Sequence, residues 1–297
     1  MKSIVLSTLL ASVLLTGGVY AKETASKDAG VKEVNKIALN NAKEDAKTHQ
    51  AKLVQEALNS LKDTHDAFVA LEKKDEETAT KKLESALGKL EVILASKKVP
   101  ELLPIDSTIR ISEYVGTSKD IETTLNTVRV LLNKNKVQEA RALMLPLESE
   151  IDITTVSLPL GSYPDALKLA AKYVHSHEVQ KAKEVLAIAL STFTSVTEVV
   201  PIPLLKATDL IAASSAVAKE DKQRALAYLD AASESLKVAH DLGYVSKSTT
   251  TYKAMQEQIE AIQKEIRGPN KAEKLFETLK ASLKEFKEKV FSSKDNK

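Results

Sequence analysis

Along most of this chain, apolar positions fall three or four residues apart, the period of a helix with one buried face. Such spacing begins at Val31 and continues to about Leu61 through Val34, Ile37, Ala38, Leu53, Val54 and Ala57. Further on, four segments share one pattern: an aliphatic residue, a polar turn, an Ala eight positions later, then an aliphatic residue four positions after that. They are Leu71/Ala79/Leu83, Leu132/Ala140/Met144, Val174/Ala182/Leu186 and Val217/Ala225/Leu229, with turns KKDEE, NKNKV, HSHEV and KEDKQ. Each predicts a helical hairpin, with the small Ala where the two backbones come closest. The later copies recur about every 42 residues, within the range of helical-repeat arrays. Thr250–Arg267 predicts a helix carrying Tyr252, Met255, Ile259, Ile262 and Ile266 on one side and ended by Gly268-Pro269. A last amphipathic helix, Asn270 to about Phe291, aligns Leu275, Leu279, Leu283, Phe286 and Val290 opposite many Lys.

Three stretches break the helical period. Pro100 and Pro104 bracket VPELLPID, followed by the alternation Ile109-Arg110-Ile111. Glu150–Val156 is rich in β-branched residues and leads to Pro159, and Val199–Pro203 reads VVPIP. Proline lacks the backbone donor and pushes its predecessor into extended geometry, so short extended segments are expected, two of them able to pair as a ribbon. Being apolar, they are expected to lie together under cover. The predicted class is all-α: antiparallel helical hairpins in a bundle or short solenoid, with a few short Pro-containing extended segments and a small β-ribbon.

The first residues read as an export leader: Lys2, an uncharged apolar run from Ile4 to Thr16, then Gly17-Gly18 and Val19-Tyr20-Ala21. Cleavage is expected after Ala21, because the run is short of the roughly 20 residues a membrane span needs. The expected organisation is a leader over 1–21, a flexible start at Lys22–Gly30 and an N-terminal helix to 50. A helical body over 51–267 and a C-terminal amphipathic helix and tail over 268–297 complete it. The expected location is the periplasm, with no integral span after cleavage.

Composition narrows the functional classes. There is no Cys, which removes thiol catalysis and thiolate metal sites, and the 43 Lys and Arg nearly balance the 41 Asp and Glu. Interleaved charges of both signs describe a solvated surface, so no nucleic-acid partner is expected. His175-Ser176-His177-Glu178 holds ligand-type side chains, but it occupies a repeat turn and no third ligand is spaced to join it, so a polar turn is the preferred reading and no metal or cofactor is expected. Asp106 and Asp152 each follow an isoleucine in an extended segment. They could form an acid–base pair on neighbouring strands, although capping is the better-favoured role. His49, His65 and His240 sit in helical segments as solvated or satisfied residues. No nucleophile elbow or phosphate loop is present, and no catalytic residue is assigned. Stiff apolar residues around the prolines either fill the core or line a ligand groove made of Pro104, Asp106, Tyr114, Pro159, Pro201, Pro203 and Tyr244. The last helix packs on its own bundle or on a second copy, with peripheral membrane contact the less favoured alternative.

Several short motifs, in order, resemble the bacterial YfdX family: Lys89–Glu91 before Leu103–Asp106 (LPID), then Thr197–Leu205 (TEVVPIPLL), Ala225–Ala239 with LDAASESLKVA, and Leu242-Gly243-Tyr244. The resemblance spans roughly Ala51 to Arg267. It implies a secreted, mainly helical periplasmic protein associated with acid, heat or envelope stress, with no established enzymatic activity and with chaperone-like or small-molecule-binding roles proposed. The expected function is therefore non-enzymatic binding of other proteins, as a holdase for stressed clients or a self-associating scaffold. The alternative is a small-molecule or lipid binder using an apolar cleft near the prolines.

Overall fold

The computed structural model describes residues 18–49, 54–95, 101–245, 250–268 and 272–292. Among them run eleven helices and three strands: α1 (Gly18–His49), α2 (Gln55–Glu72), α3 (Glu76–Leu94), β1 (Leu102–Ser112), α4 (Ser118–Asn133), α5 (Val137–Met144), β2 (Glu150–Pro159), α6 (Tyr163–His175), α7 (Val179–Ala189), β3 (Thr194–Pro201), α8 (Ile202–Val217), α9 (Lys222–Asp241), α10 (Thr250–Arg267) and α11 (Glu273–Ser292). The all-α class with a small sheet is the observed one. Most of the leader, residues 1–17, lies outside the described residues; among those described, no helix is long and apolar enough to cross a membrane.

Two helices joined by a turn stand at all four predicted places, α2–α3, α4–α5, α6–α7 and α8–α9, and the packing of one helix along the next is extensive in α2–α3 and α6–α7. In each, the repeat alanine is completely buried. Its N–H makes a first-turn bond to the carbonyl four residues back: Ala79 to Asp75, Ala140 to Lys136, Ala182 to Glu178 and Ala225 to Asp221, at 3.0–3.1 Å. A small side chain is needed there because the entering helix lies closest to its partner at its first turn.

Three of the turns are one motif. Lys74, Asn135 and His177 take positive φ of 63°, 58° and 56°. In the first, the Lys74 N–H bonds Leu71 O at 3.1 Å and the Asp75 N–H bonds Ala70 O at 2.9 Å; the same pair recurs at Asn135/Lys136 and His177/Glu178. This is the Schellman ending, which satisfies carbonyls left over by the last turn. The α8–α9 turn differs: Glu220 and Asp221 both bond Val217 O, and Asp221 then caps α9 by accepting from the Arg224 N–H at 2.9 Å.

The chain forms two compact units, each discontinuous in sequence. One gathers Met1–Asn40, Gly116–Ala140 and Pro203–Val290; the other gathers Asn41–Val115, Arg141–Ile202 and Phe291–Lys297.

The second unit holds the sheet, an antiparallel order β1-β2-β3. Three strands pair where a two-stranded ribbon was expected, because the β-branched segment supplies a centre for both neighbours. On the central strand, Ile153 faces Ile109 on one side and Glu198 on the other, and Asp152 faces Arg110 and Val199. The register slips between Pro104 and Asp106. Ile105 follows the strand's alternation into the core beside Leu103, Leu158 and Leu160. Pro104 fits an edge strand because its missing donor faces away from β2, as does its carbonyl, which accepts from the Val54 N–H at 3.0 Å. Leu71, Leu83, Leu90, Leu167 and Leu186 of the two hairpins complete this core.

The first unit centres on α8, α9, α10 and α11. Leu210, Ile211, Leu229, Leu236, Met255, Ile259, Ile262 and Ile266 share its core with Phe276, Leu279 and Leu283. Thus α11 packs on its own bundle. Its best-buried residues are Phe276, Leu279 and Leu283, with Leu275 only partly covered; the side chains of Phe286 and Val290 lie outside the described residues. At Gly30, a Cβ would come within 2.9 Å of the Tyr228 hydroxyl, so glycine there admits the tyrosine.

Three further expectations are corrected. The tract Lys22–Gly30 is helical, within α1, consistent with its Ala, Lys and Glu content. The helical spacing from Val31 to Leu61 is divided: α1 ends at His49, and Val54 is extended (φ −89°, ψ 106°) before α2. Pro203 belongs to the first turn of α8, where a missing N–H costs nothing, instead of to an extended segment.

Candidate functional site

The repeat positions separate one hairpin from the others. Leu71 and Leu83, like Val174 and Leu186, are buried, and Leu229 is fully buried with Val217 half-covered. In α4–α5 the corresponding Leu132 and Met144 are 44% and 48% exposed, and Val130 and Val137 are 51% and 54% exposed. Only Ala140 keeps its burial. The turn of α4–α5 follows the common motif, yet the aliphatic side chains on either side of it are exposed, while Ile121 and Val128 earlier in α4 are buried.

Five residues of the predicted groove, Pro104, Asp106, Tyr114, Pro159 and Pro201, lie in the unit that holds the sheet. Pro104 and Pro159 lie near one end of the sheet, facing Ser157 and Leu102, whereas Pro201 faces Glu150 at the other end of β2, about 30 Å away at strand rise. Pro203 and Tyr244 belong to the other compact unit. Asp106 is exposed and accepts from the Ser107 N–H at 2.9 Å, a local turn-like bond at the bulge. Tyr114, half-buried, follows β1.

Nor do Asp106 and Asp152 pair. Asp106 faces Val156, and Asp152 faces Arg110. Asp152 is not a cap but a buried ladder residue held by Arg110, whose Nη2 and Nε donate at 2.6 and 3.1 Å. Arg110 also bonds Glu148 at 2.6 Å, which holds that carboxyl below its usual range and raises the guanidinium pKa further. Beside this cluster, Thr108, Thr154 and Thr197 stand in register across the three strands, with Thr154 and Thr197 hydroxyls 2.9 Å apart.

His175 is exposed, and His177 is a turn residue whose Nδ1 lies 2.7 Å from Glu76 Oε2. Among the described residues no three His, Asp or Glu side chains gather as a metal site. His65 is exposed; the His49 side chain lies outside the described residues.

Two polar clusters were not foreseen. Between α2 and α3, Asp63 is buried and receives hydrogen bonds from Lys82 (3.1 Å), Ser85 (2.8 Å) and Lys89. Burial pushes its pKa up, but the donors from Lys89, Ser85 and Lys82 outweigh it and bring the carboxyl down to about 2. The second cluster joins α4 to the end of α9. The Ser118 N–H donates to Glu234 at 2.8 Å and its hydroxyl donates to Asp241, whose other oxygen lies 2.7 Å from His240 Nδ1. The His240 ring sits against Tyr252, centroids 5.3 Å apart. The carboxylate stands between serine and histidine, so His240 does not reach the hydroxyl as a general base would. Next to it a cleft of about 480 Å³ is lined by Glu122, Leu125, Asn126, Arg129, His240 and Asp241. Its legible signal was the capping box Thr117–Asp120 that starts α4; the partners on α9 lie 116 and 123 residues away in sequence.

The elements define a mostly helical protein of helix–turn–helix repeats with a small antiparallel sheet, in which one repeat leaves its two aliphatic positions nearly half exposed. Residues 60–199 match the family model described as YfdX protein, and it is over this stretch that the chain belongs to the YfdX family. Of the resembling motifs, Lys89–Glu91 and LPID fall inside the match, TEVVPIPLL straddles its end, and the α9 motifs fall beyond it. Among solved structures, a Salmonella Typhi YfdX is similar at 13% identity, covering 50% of this chain and 93% of that one with a TM-score of 0.35. No curated protein matches the chain.

Proposed function

We propose that this chain is a non-enzymatic periplasmic protein that binds other proteins under stress, as a holdase or a self-associating scaffold. The observation supporting this is the α4–α5 turn, where the repeat position Leu132 is exposed beside exposed Val130 and Val137, whereas the other repeats bury or half-bury the residue at that position. Exposed aliphatic surface on a folded protein lowers its free energy by binding apolar surface, such as an unfolding client offers. The leader read in the sequence supports the periplasmic part of this reading, and the resemblance to the YfdX family supports the stress association. A small-molecule or lipid role at the prolines has less support, because the sheet separates Pro104 and Pro159 from Pro201.

Aggregation of a heat-unfolded client, followed by light scattering, tests the reading. Stoichiometric protein is expected to suppress scattering, and Val130→Lys with Leu132→Lys to remove most of the suppression. Equal suppression by both proteins, or none by either, contradicts it.

A further inference from the structure

The cleft beside His240 carries a second inference, independent of client binding. Glu122, Asn126 and Arg129 are spaced four and three residues apart on α4, so they form one stripe along the wall of the cleft. Across from them, the end of α9 contributes His240 and Asp241. This far wall is fixed in place: Asp241 is held by the Ser118 hydroxyl and by His240 Nδ1, and the imidazole is set against Tyr252. Arg129 is oriented as well, since Nη1 donates to Asn126 Oδ1 at 2.6 Å, leaving its other donors available.

The charges are divided lengthwise. Glu122 and Asp241 make one end acidic; Arg129 makes the other basic, seven residues and so about 10 Å further along the helix. Among the described residues neither Glu122 nor Arg129 takes part in an ion pair. A volume of about 480 Å³ suits a small ligand. Three extended residues of a peptide span about 10 Å, which matches the charge separation. Between the ends, Asn126 and His240 offer polar groups for peptide N–H and C=O, and Leu125 offers apolar contact.

We propose that this cleft binds a short linear zwitterion of tripeptide length, its ammonium group at Glu122 and Asp241 and its carboxylate at Arg129. Bidentate pairing of guanidinium with carboxylate would set the orientation.

The test is titration of the full chain with trialanine, followed by calorimetry and by chemical-shift changes at α4 and the end of α9. Saturable binding is expected. Either N-acetylation or C-amidation of the peptide is expected to weaken it at least tenfold, as are Glu122→Gln and Arg129→Gln respectively. Both residues are exposed, so these variants retain the fold. Absence of saturable binding at millimolar peptide overturns the proposal. So does binding indifferent to either blocking group or to either substitution.

Discussion

In α6–α7 the turn Ser176–Glu178 is flanked by Val174 and Leu186, both sealed from solvent. In α4–α5 the same turn, with Asn135 in place of His177, is flanked by Leu132 and Met144, each nearly half exposed. Both turns close with the same two backbone bonds, and both following helices bury their alanine. The contrast separates two decisions made at different ranges. Turn geometry is decided locally, by which carbonyls need donors and which residue takes positive φ. Side-chain burial is decided by what distant segments cover. α6–α7 lies in a core with α2, α3 and the sheet, whereas the aliphatic residues at the α4–α5 turn have no such cover.

Truncation should split the hairpins most sharply. Leu83→Ala or Leu186→Ala removes a fully buried side chain and is expected to cost about 2–5 kcal/mol, while Met144→Ala should stay within about 0.5 kcal/mol. Urea midpoints at neutral pH measure both. Equal losses would erase the distinction.

Acid provides the next effect, specific to α2–α3. Asp63 has its pKa lowered from 3.8 to about 2 in the folded protein. A depressed folded value means that the stabilisation is complete above the unfolded pKa and is lost as pH falls through the window from about 4 to 2. The expected contribution is on the order of 1–2 kcal/mol, read as the difference between urea unfolding at pH 5 and pH 2.5. Asp63→Asn should flatten that part of the profile; an unchanged slope would mean that the lysines do not hold this carboxylate.

Smallest is the effect of the turns. His177 and Lys74 occupy left-handed backbone that glycine adopts without a Cβ penalty, so His177→Gly and Lys74→Gly should each stabilise by about 0.5–1 kcal/mol. Asn135→Gly should gain less, because asparagine already tolerates that geometry. A uniform response across the three turns would show that side-chain contacts, such as His177 with Glu76, outweigh backbone strain.

The hairpins were readable because a buried alanine and a polar turn recur at fixed spacing, and the strands because prolines and β-branched runs exclude helix interiors. α10 appears over the residues its apolar stripe and following glycine predicted. The bulge at Ile105, the third strand pairing and the discontinuous units were not readable, since each depends on segments far apart in the chain. The same holds for Asp152: its isoleucine context gave no sign of Arg110, 42 residues earlier. His240 could be read as satisfied, but Ser118 and the cleft beside it depend on a contact 123 residues long. The exposure of Leu132 was equally hidden, because its local pattern is that of its buried counterparts.

The chain contains no cysteine, so single replacements give clean thiol probes. The most direct measurement is the rate at which Leu132→Cys and, separately, Leu186→Cys react with a thiol reagent, with and without a heat-unfolded client. Leu132→Cys is expected to react rapidly alone and several-fold more slowly with client, while Leu186→Cys stays slow in both. Slow reaction of Leu132→Cys on its own, or a rate that the client leaves unchanged, would contradict the account.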